Sequence, residues 1–120
     1  MKVRAIRGAT QLGADTQEEM RVAVVELLET IFRENALEIE DLISILFTVT
    51  PDLHSDFPAA AARTLPLGQI PLMCFQEIDV KGALPRVVRV MVNCYSHRSH
   101  SEIKHIYQRG AISLRKDIAQ

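Results

Sequence analysis

Apolar residues recur at helical spacing after Thr16. Met20, Val24, Leu27, Leu28 and Ile31 form one stripe, widened by Ala23, Phe32 and Ala36. Glu18, Arg21, Glu26, Glu29 and Arg33 take the opposite face, with Glu18–Arg21 and Glu29–Arg33 at helix-neighbour spacing. Thr16 with Glu19 reads as an N-cap and capping box, so a helix is predicted from about Gln17 to Asn35. Elsewhere the period is that of strands. Lys2 to Gly8 alternates, with Val3, Ala5 and Arg7 on one face and Lys2, Arg4 and Ile6 on the other. Arg7 falls at the end of that strand on its apolar face, beside Gly8, where the backbone can turn or a ligand approach. Leu42 to Thr50 is almost continuously apolar and suits a central strand covered on both sides. Ile70 to Phe75 is a strand whose Pro71 marks a start or an edge, and Val87 to Tyr95 is a strong strand.

The connecting segments carry turn and cap signals. Gln11 to Asp15 reads as a loop, and Glu38 to Asp41 as an acidic turn. Asp56 is the expected cap of a short helix with Pro58 in its first turn, followed by Ala59 to Ala62 and by Arg63 at the C-terminus. Lys81 to Ala83 is a turn, Leu84 to Arg86 a single helical turn, and Arg86 is expected in solvent. Ser96 to Ser101 is a polar loop, Glu102 to Arg109 helical or irregular, and Ala111 to Leu114 a final strand or edge contact. Arg115 to Gln120 is a polar end expected to be mobile. This order of elements predicts an α/β (α+β-like) domain with helices on one face of a sheet. One helix layer leaves sheet surface uncovered, so the apolar strands 42–49 and 87–92 predict oligomerisation.

Composition narrows the class. The 120 residues fit one domain, 48% hydrophobic content is enough for a core, and a net charge of -1 gives no basic footprint for nucleic acid. Two cysteines are too few for a disulfide scaffold and suit a reducing cytosol. The start M-K-V-R-A-I-R-G is too short and charged for a signal peptide, and no apolar run reaches membrane-spanning length. These features imply a cytoplasmic location with no membrane partner.

Candidate chemistry is sparse. Cys94, His97 and His100, with His105 beyond, do not match two-plus-two zinc spacing, so no metal is expected. Cys74 lacks a nucleophile motif, although His54 or His105 could meet it in the fold; a pocket wall is the simpler role. R-G-A-T at Arg7–Thr10 lacks the lysine and glycine spacing of a phosphate loop. The informative feature is V-V-R-V-M-V at Val87–Val92, where Arg89 sits in a β-branched run and calls for an anion. Arg7, Arg63, Arg89 and Arg115 near element ends could gather a substrate with several carboxylates, with Glu77 accepting a hydroxyl hydrogen bond and Tyr107 covering a carboxylate. Such a set holds a conformation and a charge distribution rather than moving a proton.

Further stretches sharpen this reading. They are R-x-I-R-G-A-T at Arg4–Thr10, T-P-D-L-H at Thr50–His54, F-P-A at Phe57–Ala59, C-F-Q-E-I-D-V at Cys74–Val80, L-P-R-V-V-R-V-M at Leu84–Met91 and I-x-H-I-Y at Ile103–Tyr107. In this order, and over nearly the whole chain, they resemble the monofunctional chorismate mutases of the Bacillus type (the AroH class). The resemblance implies a homotrimer: a mixed sheet in each subunit with helices outside, packed as a pseudo-α/β-barrel, and active sites between neighbouring subunits. It implies cofactor-free [3,3] rearrangement of chorismate to prephenate, in aromatic amino acid synthesis. By the same resemblance Arg89 meets the ether oxygen and a carboxylate, Glu77 and Cys74 meet the ring hydroxyl, and Arg7 and Tyr107 hold the side-chain carboxylate. Phe57, Ala59 and Arg63 would come from the neighbouring subunit, and Leu114 and Arg115 from the closing C-terminal segment. The chain departs from the Bacillus form at Ala60, at Met73 on the cleft wall, and in a loop 65–70 shorter by about one residue. Two rivals are a trimeric small-molecule-binding or imine-hydrolysing protein with interfacial clefts, and a non-catalytic trimeric module.

Overall fold

The apolar stripe after Thr16 forms the helix its period predicts. In the computed structural model, which describes residues 1–114, α1 spans Gln17–Glu34 and buries Met20, Ala23, Val24, Leu27, Leu28 and Ile31. Each large member of that stripe contributes on the order of 1.5–3 kcal/mol by leaving water. Thr16 Oγ1 accepts from the Glu19 N–H at 3.1 Å, as a cap should. The expected box is not closed, because the Glu19 carboxylate accepts instead from the Gly13 N–H at 2.9 Å and pairs with Arg109 at 3.2 Å. Arg33 pairs with Glu34 rather than with Glu29. Ala36 is exposed at φ 53° and lies outside the stripe. At the other end Arg98 Nη1 donates to the Glu34 carbonyl at 2.7 Å, where the helix dipole favours a cation.

The strands are β1 (Lys2–Gln11), β2 (Leu42–Val49), β3 (Leu72–Gln76), β4 (Val87–Ser96) and β5 (Ile106–Tyr107). They make one five-stranded sheet in the order β3-β2-β4-β1-β5. β4 is antiparallel to both β1 and β2, while β2–β3 and β1–β5 are parallel, so the sheet is mixed. The α2 helix spans Pro58–Ala62. Single 3₁₀ segments lie at Ile39–Asp41, His100–Glu102 and Arg109–Leu114. The position of Arg115, and the end 115–120 expected to be mobile, lie outside the described residues.

Register sorts the sheet into two faces. Ile6, Ile45, Phe47, Val88, Val90 and Val92 pack with the α1 stripe and with Ala61 and Ala62 of α2 in one core. The other face is largely uncovered, and Val3 (58% exposed), Leu46 (36%) and Phe75 (46%) stand on it. The Leu42–Val49 strand is thus covered on one side only, contrary to the expectation of two. Likewise the Val3, Ala5, Arg7 face of β1 is the open one, and β1 runs through to Gln11, so Arg7 is inside the strand rather than at its end. One end of the open face is covered by the Arg109–Leu114 segment, which is 3₁₀ rather than a strand, through a small cluster of Ala9, Tyr107, Ala111 and Leu114.

Gly8 serves packing rather than a turn. A Cβ there would lie 2.8 Å from Ile31 Cδ1 and 3.2 Å from the Ile106 carbonyl oxygen. Gly8→Ala is expected to destabilise by about 1–3 kcal/mol through overpacking between β1, α1 and β5, read as a lower denaturant midpoint. An unchanged midpoint would mean that Ile31 moves aside at no cost.

Two other local expectations differ. The N-cap of α2 is Phe57, and Asp56 Oδ1 accepts the Phe57 N–H at 2.8 Å without capping the helix. Leu84 to Arg86 is not helical, and Arg86 is half-buried rather than free in solvent: at φ 53° its N–H donates to the Asp52 carboxylate and its Nε to the Leu12 carbonyl at 2.9 Å. Thr50 Oγ1 accepts the Val87 N–H at 2.9 Å. These bonds tie the ends of β1 and β2 to the start of β4 and set where Arg89 emerges.

Candidate active site

The V-V-R-V-M-V run is two-faced. Val88, Val90 and Val92 point into the core, while Arg89 and Met91 turn to the open face. An arginine is tolerated there because that face is not sealed by the subunit's own helices. Arg89 stands opposite Ala9 of β1 and Thr48 of β2, and Arg7 stands opposite Met91, so the two arginines share a face on neighbouring strands.

Glu77 supplies the anion. It follows β3, where its N–H is held by the Val49 carbonyl at 2.9 Å. Its Oε1 lies 3.1 Å from Arg89 Nε, and its Oε2 accepts from Thr48 Oγ1 at 3.1 Å. The Glu77 side chain is 16% exposed and that of Arg89 43%. A pair this open is worth no more than about 1 kcal/mol to the fold, so its value is positional. A carboxylate has about four acceptor sites and a guanidinium about five donors, so both groups keep capacity for a ligand. Arg89 bonds Glu77 through Nε, and its terminal nitrogens bond no other side chain among the described residues.

Tyr107 joins them through β5, which places it beside Ala9. With Arg7, Thr48, Phe75 and Arg89 it lines a cleft of about 330 Å³. Leu114, Glu77, Asp52 and Arg89 line an adjoining hollow of about 450 Å³. Among the described residues Arg7 has no carboxylate partner. The smaller cleft is therefore lined by two arginines, Tyr107 and no acid, with Glu77 in the adjoining hollow on the other side of Arg89, an arrangement suited to a small polyanion that carries a hydroxyl.

This geometry agrees with the comparisons. The family described as chorismate mutase type I matches residues 3–118. The chain belongs to that family. It is 41% identical over 120 residues to chorismate mutase AroH of Bacillus subtilis (strain 168), covering 99% of this chain and 94% of the relative. It is 40% identical over 117 residues to chorismate mutase AroH of Thermus thermophilus, covering 97% and 96%. Among solved structures, a chorismate mutase from Clostridium thermocellum (Cth-682) superposes with a TM-score of 0.89 at 43% identity, covering 92% of this chain and 98% of that one.

For a type I chorismate mutase the remaining expected site residues fall elsewhere on the subunit. Cys74 is in register with Phe47 and so turns away from the open face. It lines a separate cleft of about 350 Å³ with Asp56, Phe57 and Phe75. The structure does not bring Cys74 to the Glu77 carboxylate within one chain, because Cys74 turns to the opposite face of the sheet from the one where Glu77 meets Arg89 and Thr48. Phe57 is 69% exposed, Arg63 is exposed at the C-cap of α2, and Ala59 is buried in the core at 5%. Ala60, exposed between them, adds no charge to that edge. Met73 stands on the open face of the edge strand beside Leu46, 56% exposed. Cys94 is buried, and burial first, then the Asp41 charge, pushes its thiol pKa up, so it stays protonated. His97 and His100 are exposed, and among the described residues no group of three metal-binding side chains gathers.

For two participants the sequence alone suggests no role at this end of the site. Thr48 is one polar residue in an apolar run, and only the β2–β4 register sets it against Arg89 and Glu77. His105 reads as a loop histidine, yet its Nδ1 accepts the Arg7 backbone N–H at 2.9 Å.

Proposed function

We propose that the open-face site converts chorismate to prephenate by holding the substrate compact and by stabilising charge on its breaking ether bond. The observation that carries this reading is the convergence of Arg89, Glu77, Arg7 and Tyr107 on one sheet face in a type I chorismate mutase chain. In the [3,3] rearrangement one C–O bond breaks as one C–C bond forms, and no atom, proton or electron leaves the substrate. The chemistry therefore needs no cofactor or metal, and the barrier yields to orientation and electrostatics. Negative charge grows on the ether oxygen, and the terminal nitrogens of Arg89 meet it there, favouring the transition state over the ground state. Glu77, held by Arg89 and Thr48, accepts the ring hydroxyl. Arg7 and Tyr107 hold the side-chain carboxylate, and Leu114 lines the adjoining hollow.

The working unit is a homotrimer with sites between subunits. Support comes from the apolar open face and from the position of Phe57, Arg63 and the Cys74 side of edge strand β3, away from the subunit's own Arg89, where they serve a neighbour's Arg89. Met73 and the backbone of Ala59 complete that wall. The reaction belongs to aromatic amino acid biosynthesis in the cytoplasm; among the described residues no helix is long and apolar enough to cross a membrane. Incubation with chorismate, following its loss of absorbance and identifying prephenate as product, tests the reading. Unchanged absorbance would favour a binding or imine-hydrolysing protein.

Thr48 provides a finer check. Thr48→Val keeps the side-chain shape and removes the donor to Glu77. A hydrogen bond to a charged group is worth about 1.5–3 kcal/mol, so kcat/KM is expected to fall at least tenfold. Thr48→Ser should restore most of it. If valine were as active as threonine, Glu77 would be oriented by Arg89 alone.

A further inference from the structure

We infer that His105 is a positioning residue for the substrate-carboxylate end of the site: its imidazole replaces a strand carbonyl, fixing Arg7 and Tyr107 relative to each other. The inference rests on the reading of Arg7 and Tyr107 as ligand-holding groups. Along β1 the backbone polar groups alternate between neighbours. The Leu12 N–H turns to the β4 side and bonds the Arg86 carbonyl, whereas the Ala9 carbonyl turns to the β5 side and accepts the Gln108 N–H at 2.9 Å. Arg7 has the parity of Ala9, so its N–H faces β5. That strand is only Ile106–Tyr107, in register with Gly8 and Ala9, and its ladder stops short of Arg7. The His105 side chain completes the ladder, with Nδ1 2.9 Å from the Arg7 nitrogen.

The bond has two consequences. It satisfies a partly buried donor that sheet pairing leaves over. It also couples the two strands at the functional step, because His105 directly precedes β5 and its partner is the backbone of Arg7 itself. Small errors in placing a binding group cost much activity, so this link bears on affinity as well as folding. As an acceptor, Nδ1 must be unprotonated, which puts the neutral ring's proton on Nε2.

The test compares His105→Asn, whose Oδ1 falls near the place of Nδ1, with His105→Gln and His105→Ala, which put no acceptor there. KM and kcat for chorismate and the denaturant midpoint are measured for each, beside the parent, Arg7→Ala and Tyr107→Phe. The expected result is a KM raised on the order of tenfold in the Ala and Gln variants with a smaller change in kcat, and a near-parent KM in Asn. Equal KM values for Asn and Gln would overturn the inference, as would a KM that follows the midpoint across all three. If the Ala variant does not fold, the Asn–Gln comparison still decides. Nitrogen NMR of the parent is expected to show the Nε2–H tautomer and a slowly exchanging Arg7 amide; an Nδ1–H tautomer would overturn it. Unchanged KM in both Arg7→Ala and Tyr107→Phe would instead overturn the underlying reading of the site, whatever the His105 variants do.

Discussion

Arg89→Ala is expected to lower chorismate turnover by about 100- to 1000-fold while leaving the fold intact. Removing one preorganised donor from a developing oxyanion costs about 2.7–4 kcal/mol of barrier, and the proposed role of Arg89 is of that kind. The fold should survive because the side chain is on the open face, 43% exposed, and lies outside the core cluster. Its loss removes an ion pair of minor worth and leaves Glu77 bonded to Thr48. Arg89→Lys is an informative companion. It keeps the charge but cannot bond Glu77 through Nε while offering terminal nitrogens to the substrate, so turnover should stay well below the parent. Circular dichroism and the denaturant midpoint check the fold, and single-turnover rates check the chemistry. Near-normal turnover in the alanine variant would mean that the growing charge is met elsewhere.

The second large effect concerns where a complete site resides. Arg89 and Arg63 lie on different parts of the subunit, one on the open sheet face and the other at the end of α2. If a site joins Arg89 of one subunit to Arg63 of the next, Arg89→Ala and Arg63→Ala proteins should each be weak at low chorismate concentration. Unfolded together and refolded, they should recover activity. Random assembly of a cyclic trimer gives about a quarter of sites both intact residues, so about a quarter of parent kcat/KM is expected. Sites made within one subunit would recover nothing on mixing. The trimer itself is checked by sedimentation of the parent.

Much of the fold was legible because its signals are local. The stripe from Met20 to Ile31 has one period and one solution, and it forms α1 with Thr16 as cap. The strands near 42–49 and 87–95 were legible from composition, and the single helix layer already implied an uncovered sheet face; only the Leu42–Thr50 run reads as covered on both sides. An apolar run reads alike whether its second face meets the same chain or another surface, and here that face is open. The sequence places the end of β1 at Gly8 because a glycine lets the backbone turn, while Gly8 is required there by the approach of Ile31. β5 escaped notice because a two-residue strand has no period, and its pairing to Gly8 and Ala9 crosses most of the chain. Arg86 was placed in solvent because nothing near it in sequence shows that Asp52 and Leu12 are its partners.

For the site, the sequence alone determined the inventory: an arginine that needs an anion, an acid close by, a second arginine on a strand and a tyrosine near the C-terminal end. It also determined the family, since the motifs run in order along nearly the whole chain. Tertiary structure decided the assignments. Glu77 meets Arg89, Thr48 holds the other Glu77 oxygen, and His105 bonds the backbone of Arg7. Cys74, near Glu77 in the chain, faces a different cleft with Phe57. The physical reason is that side-chain period and capping act over a few residues, so they can be read along the chain. Strand register brings together residues tens of positions apart, and shifting it by one residue would turn each of these side chains to the other face.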